Sequence, residues 1–453
     1  MIFKGLVCVV LILLSLPVYA ITKDDTKRVE LNDTQALSVA HIMVNAGDLD
    51  KATDLLNDIL QSKDVNARTG ALFELGRVAM ARGDYSTAIK YFLTILKYHP
   101  GATFVRVELA KAYLLDGEYG SADFNLRLAL ADKTLQKEEQ EQIKQMINFA
   151  RYKKDWNLYA GFSIVPDSNL NYATGRREEC INTMFGVLCR ELEDKSTGVG
   201  VQYSLGGDYY LKFTDHFGLK TSASFYALDF PNSTFDDYML YMAAGPRYII
   251  DKIGEISVQP FTQLRWYGGK YYNTVPGVRA DIDLDLTKRI HLSLGGSYSR
   301  DIYHNDNLDN MLRGNEYSTY IQPRYYINNK SFTFVGLTYT ASTAKLKSYG
   351  NDSIDYSIGY FGELPLTLSL YTRFDLTQTK YKDSQYFIMD DYTTKQFIRK
   401  DIGYRVYLRL SSRYLEYKRL YPSISYTYTK RDSNAPAYDF DKYRVQIELN
   451  YRF

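Results

Sequence analysis

The last eleven residues, Tyr443-Arg444-Val445-Gln446-Ile447-Glu448-Leu449-Asn450-Tyr451-Arg452-Phe453, alternate without a break between an apolar or aromatic side chain and a polar or charged one. Successive side chains of a strand point to opposite faces, so a period of two sorts these into one apolar and one polar face. The same alternation runs through residues 199–213, 278–286, 366–376 and 402–410. The first of these is longer, and each of the other three has about the nine to eleven residues with which a tilted strand crosses a bilayer. A soluble sandwich would use shorter strands and bury faces of both kinds.

Turn signals divide the region around these stretches into fourteen segments, at 156–165, 197–212, 216–229, 237–250, 255–267, 274–286, 289–303, 314–327, 331–342, 353–363, 365–379, 395–411, 420–430 and 439–453. The connections alternate as well. Those at 214–215, 251–254, 328–330 and 364–365 are tight, whereas those at 166–196, 304–313, 343–352 and 380–394 are long and polar. An even-numbered antiparallel barrel in an outer membrane has this pattern, with short turns toward the periplasm and long loops outside. Both chain ends then lie on the periplasmic side. Phe453 as the final residue suits an outer-membrane assembly signal.

The alternation also predicts the lumen wall. It places Arg247, Arg265, Arg279, Arg324, Arg373, Arg405 and Arg409 inside, against Asp208, Asp281, Asp283, Asp285, Asp375 and Glu448. A strongly selective ion channel concentrates one sign of charge, and these signs are mixed. The expectation is a charge ladder that solvates or fills the lumen.

Composition agrees with this reading. Seven of the 43 tyrosines precede residue 155, which leaves 36 in the alternating region, as aromatic girdles require. Lys and Arg number 55 against 53 Asp and Glu, so the basic excess of a nucleic-acid binder is missing. At the N-terminus, Lys4, an apolar run over 5–16, and Val18-Tyr19-Ala20 read as a secretory signal peptide at 1–20. The apolar run is shorter than the ~20 residues of a membrane span. Removing 1–20 leaves Cys180 and Cys189 as the cysteines of the mature chain, able to pair in an oxidising compartment and close the long loop at 166–196.

Before residue 155 the period is helical and the chain repeats. Gly47-Asp48-Leu49 with Ala52, Gly83-Asp84-Tyr85 with Ala88, and Gly117-Glu118-Tyr119 with Ala122 recur at the ~34-residue tetratricopeptide period. Residues 21–154 are therefore read as a periplasmic tetratricopeptide-like domain of about three repeats, with 133–154 as a terminal helix. The first helices of such pairs line a concave groove, which makes His41, Phe73, Arg77, Met80, Lys111 and Leu114 candidates for holding a peptide client. The competing reading packs Phe73, Met80 and Leu114 between repeats, since apolar positions at helical spacing are core more often than site. Arg77 and Lys111, one repeat apart, are harder to explain as core.

Signatures of catalysis are missing. His41, His99, His216, His291 and His304 share no metal-ligand spacing, and neither a nucleophile elbow nor a phosphate-binding glycine loop occurs. A catalytic role, a cofactor and a metal are not expected; a Ser and His meeting across strands near His291, Ser293 and Ser297 is the weakest alternative.

Taken together, the helical repeats, a Trp156-containing first strand, the Asp167-Ser168-Asn169-Leu170-Asn171 stretch and a fourteen-stranded barrel with an aromatic end resemble the surface lipoprotein assembly modulators, the Slam family. The resemblance covers essentially the whole mature chain and rests on architecture rather than on a site motif. It implies an outer-membrane translocator that moves particular lipoproteins, or related soluble effector proteins, to the bacterial surface. Expected partners are that client, periplasmic chaperones, the barrel-assembly machinery and outer-membrane lipid, with no nucleic acid. The rival readings are a repeat-linked polysaccharide-export or diffusion porin, and a surface adhesin or receptor barrel.

Overall fold

The computed structural model describes residues 18–20, 29–412, 415 and 420–452. Most of the signal-peptide reading and the aromatic end at Phe453 lie outside the described residues. Two compact units divide at Ile95 and Leu96. The break in packing therefore falls inside the helical region, whereas 154–155 is where helix gives way to strand.

Among the described residues, seven helices precede the barrel strands: α1 Asp33–Ala46, α2 Leu49–Ile59, α3 Val65–Ala81, α4 Tyr85–Tyr98, α5 Thr103–Leu115, α6 Tyr119–Leu130 and α7 Lys137–Lys153. The repeated glycines explain the pairing. Gly47, Gly83 and Gly117 have φ of 82°, 77° and 80°, a left-handed conformation that glycine adopts without steric cost. Each ends the first helix of a pair with the same cap. The glycine N–H donates to the carbonyl three residues back, and the next N–H to the carbonyl five back, as in Asp48 to Met43, Asp84 to Ala79 and Glu118 to Tyr113. Ala52, Ala88 and Ala122 are fully buried at the start of each second helix.

In the first unit the core is Ala36, Ala40, Leu55, Leu56, Ile59, Ala71, Leu75 and their neighbours. A Cβ on Gly76 would lie 2.5 Å from the Phe92 ring, so α3 and α4 touch only because that position is bare. Among the described residues no helix is long and apolar enough to cross a membrane. Strands do the crossing.

The second unit holds α5–α7 and the barrel. Its strands are β1 Trp156–Asp167, β2 Gly198–Lys212, β3 Phe217–Asp229, β4 Asp237–Ile250, β5 Gly254–Tyr267, β6 Lys270–Asp285, β7 Ile290–Tyr303, β8 Gly314–Asn328, β9 Ser331–Ser342, β10 Asn351–Glu363, β11 Leu368–Ile388, β12 Thr394–Ser412, β13 Leu420–Ser433 and β14 Phe440–Arg452. All fourteen pair antiparallel with their neighbours in sequence, and β14 closes on β1, with Ile447 opposite Ile164 and Tyr451 opposite Ala160. The fourteen segments read from sequence are these strands. Side chains outside the wall are apolar and exposed, as with Val199, Tyr203 and Leu205 on β2 and Val335, Leu337 and Tyr339 on β9.

One connection departs from expectation. Residues 380–394, read as a long polar loop, are mostly strand: β11 and β12 run 21 and 19 residues and pair from Ile388 with Thr394 inward. They exceed what a bilayer needs and stand out from the wall on the loop side. There the chain at 390–392 meets the hairpin Glu178–Thr183/Gly186–Glu191, whose Cys180 and Cys189 are disulfide-bonded. The backbone N–H of Asn182 donates to the Tyr392 carbonyl at 2.9 Å, and Arg176 pairs with Asp390. A short helix, α8 Asp306–Leu312, fills the β7–β8 connection.

Candidate functional site

The charged residues that the alternation assigns to the lumen pair with one another. Arg247 pairs with Glu255 at 2.5 Å, Arg265 with Asp237 at 2.8 Å and Arg279 with Asp281 at 2.7 Å. Asp375 holds Arg373 at 2.6 Å and Arg405 at 2.9 Å, while Arg409 meets Glu448 at 3.1 Å. Asp283 accepts from Ser293 at 2.5 Å, and Asp208 from Ser222 at 2.6 Å. Apart from Arg409–Glu448, which reaches across β13, these bonds join groups on one strand or on neighbouring strands, so the charges brace the wall. Arg324 differs: its guanidinium lies 4.9 Å over the Phe332 ring, and it has no carboxylate partner among the described residues.

At the loop end, the Asp167-Ser168-Asn169-Leu170-Asn171 stretch ties β1 to β14. Asn169 is fully buried and donates to the carbonyls of Ala173 and Asp441 at 2.9 and 3.1 Å. Asp167, also buried, receives Arg444 at 2.8 Å and Lys442 at 3.0 Å. This stretch is a structural clasp at barrel closure.

The turn end is built differently, because α5–α7 pack into it. Leu128 of α6 and Ala131, which caps it, are fully buried against Tyr326, Phe332 and Phe334. Phe124 meets Phe361 edge to face at 5.4 Å, a favourable aromatic geometry, and Phe361 stacks on Phe332 at 5.0 Å. Ion pairs surround this apolar contact. Arg106 of α5, with no exposed side-chain surface, donates to Glu363 at 2.5 Å and to the Pro100 carbonyl at 2.7 Å. Asp285 at the end of β6 accepts from Arg127 of α6, from Arg151 of α7 at 2.5 Å and from His291 of β7 at 2.8 Å.

Two turns grip the helix ends. Asn329 donates to the Gly101 carbonyl and to Thr103 Oγ1, both at 2.6 Å, before and at the start of α5. Arg289 donates to the Ala131 carbonyl at 2.6 Å, where the negative end of the α6 dipole lies. From α7, Tyr152 donates to Asp251 in the β4–β5 turn. Burial, then this bond, pushes the Tyr152 phenol up to about 12. Burial opposes the Arg127 charge, but Asp123 and Asp285 outweigh it and hold the guanidinium well above its ordinary value. Burial pulls Lys154 below its usual range where its ammonium lies 5.3 Å from the Tyr210 ring.

Between these helices and the wall is a cavity of about 310 Å³ lined by Asp123, Lys154, Tyr210, Arg247, Glu255 and Arg324, among others. Through these partners α6 and α7 reach wall positions from β2 round to β10 and stand across the turn-side mouth.

The groove candidates fall in both units and are placed within each. Arg77 donates to Glu74 at 2.9 Å and to Asn45 at 2.7 Å, and His41 meets the other Glu74 oxygen at 2.8 Å. Lys111 pairs with Glu108 at 2.7 Å, the same spacing one repeat later. Phe73 lies 5.7 Å from Phe92, and Met80 and Leu114 are half-buried. The cations thus have carboxylate partners on their own helices. Residues that sequence reasoning passed over are Arg106, Phe124, Arg127, Leu128 and Arg151. Their signal was present: α6 carries an aromatic, a cation and a leucine where α2 carries Asp54, Asn57 and Asp58.

A family model described as surface lipoprotein assembly modifier matches residues 156–453. A relative of that description from Pasteurella multocida (strain Pm70) is 24% identical over 400 residues, 83% of this chain and 75% of that protein. Surface lipoprotein assembly modifier 1 of Haemophilus influenzae Rd is 21% identical over 386 residues, 82% of this chain and 75% of its own length. Among solved structures, the chain is similar to the outer membrane channel DcaP of Acinetobacter baumannii, with 10% identity and a TM-score of 0.37 over 66% of this chain and 97% of that one.

Proposed function

Because the chain belongs to the surface lipoprotein assembly modifier family, we propose that this outer-membrane barrel is a translocator that delivers particular lipoproteins, or related soluble proteins, to the cell surface. The helical region engages the client in the periplasm. Helix α6 then leaves the mouth, and the client passes as an extended chain whose folding outside supplies direction. A fourteen-stranded barrel is narrower than open porins of about sixteen to eighteen strands, so a folded domain does not fit.

The observation that carries this reading is the helical packing in the turn-side mouth, from the buried Arg106–Glu363 pair to Phe124 on Phe361. It links a helical element that can meet a client to the opening the client must use. A diffusion or polysaccharide porin calls for a lumen open from mouth to mouth, and α6 stands across this one.

The test compares proteins shaved by protease from intact cells with and without this chain, total levels being the control. One or two lipoproteins or secreted proteins should vanish from outside and remain within. An unchanged surface with impaired solute uptake or polysaccharide release would reject the export reading.

A further inference from the structure

Beside the docked helices, a second cavity of about 260 Å³ opens at the rim, between α7 and the β4–β5 and β6–β7 turns. Its lining is graded. Leu130, Ile147 and Tyr326 form a buried apolar floor, whereas Lys144, Lys252 and Lys288 are exposed at its mouth. The carboxylates present are already engaged. Glu141 accepts from Lys144 at 2.6 Å, and Asp285 serves Arg151 and His291 at 2.5 and 2.8 Å as well as Arg127. Among the described residues, Lys288 bonds the Gln140 amide oxygen at 3.4 Å, and Lys252 makes no close ion pair, its charge acting on Glu141 and Asp251 from a distance. The position matters as much as the charge. The same two turns expose Ile253 and Leu286, where the apolar outer wall begins, and the Asp285 N–H bonds the Ile253 carbonyl at 2.6 Å to hold them together.

A cavity with a cationic mouth and an apolar floor, level with the start of the membrane-facing wall, has the polarity of an amphiphile whose head is anionic. We propose that this cleft binds an anionic phospholipid of the periplasmic leaflet, its phosphate at Lys252 and Lys288 and its glycerol and first acyl carbons toward Ile147 and Leu130. Basic pockets at a membrane boundary recognise headgroups in this way. The site does not depend on the export reading, since it concerns how the helical dock meets the bilayer.

The experiment uses the full chain, purified in non-ionic detergent and stripped of lipid, with dioleoyl phosphatidylglycerol as the probe and native mass spectrometry as the readout. Wild-type protein should retain one lipid, and K252A/K288A should bind it about 30-fold more weakly, from about one kcal/mol per lysine. K330A removes a lysine from a different turn and should bind as wild type does. Heat-modifiable gel mobility verifies that each barrel is folded. Equal retention by K252A/K288A and wild type would overturn the proposal, as would equal weakening by K330A, which would mean generic rim charge. Displacement of the lipid by inorganic phosphate at equal concentration would also overturn it, because the site would then read a free anion.

Discussion

Helices α2 and α6 hold the same place in the repeat, yet they present opposite faces. Seventy residues apart, Asp54, Asn57 and Asp58 correspond to Phe124, Arg127 and Leu128, the two sequence intervals of 36 and 34 added together. On α2 these three side chains are exposed, as the outer face of an amphipathic helix should be. On α6 the face that solvent would take is buried against the barrel wall. The inner faces remain alike, with Ala52 and Ala122, and Leu56 and Leu126, fully buried. One scaffold thus serves two purposes. Three outward residues separate a solvent-facing repeat helix from one that packs on the barrel wall.

The contrast predicts graded outcomes. The largest effect should come from F124A/L128A, which removes the apolar contact at a cost of about 5 kcal/mol or more in docking. The purified barrel should then conduct ions steadily in a planar bilayer, where wild type is mostly closed; a double variant as silent as wild type would show that α6 does not close the mouth. R106M leaves Glu363 without its cation and should cost about 3 kcal/mol. Amide exchange in α5 and α6 should quicken, and unaltered protection would remove this pair from the account. C180S/C189S should loosen residues 178–191 by about 2 kcal/mol, with exchange in α5–α7 unaffected, because the hairpin lies at the other end of the barrel. Smallest of all, D54A/D58A on α2 should change stability by no more than about 0.5 kcal/mol per site. A thermal shift comparable to that of F124A/L128A would mean that the α2 face is also covered.

How much could be read beforehand follows from which patterns are local. The barrel was legible because each strand carries its own period-two signal. Paired helices were legible through Gly47, Gly83 and Gly117, whose left-handed caps need a particular residue type. The mouth was not. Arg106 meets Glu363 across 257 residues, and Asp285 gathers Arg127, Arg151 and His291 from three elements, so no window of sequence contains the site. Arg77 and Lys111, singled out because a core does not readily explain them, stand three residues after Glu74 and Glu108, a spacing that places ion pairs on one helix face.

The most direct test fixes α6 in place. F124C/F361C, at two positions whose rings meet at 5.4 Å, should be bridged by a thiol-cleavable bis-maleimide, which spans the Cβ gap that a direct disulfide would not, in a C180S/C189S background so that the new link is the only one. Client lipoprotein at the surface is then measured by protease shaving of intact cells before and after mild reduction. The account predicts surface client at the level of the deletion strain while the bond holds, and recovery once it is reduced. Undiminished delivery by the cross-linked barrel would contradict it, since the client would then be crossing without moving α6.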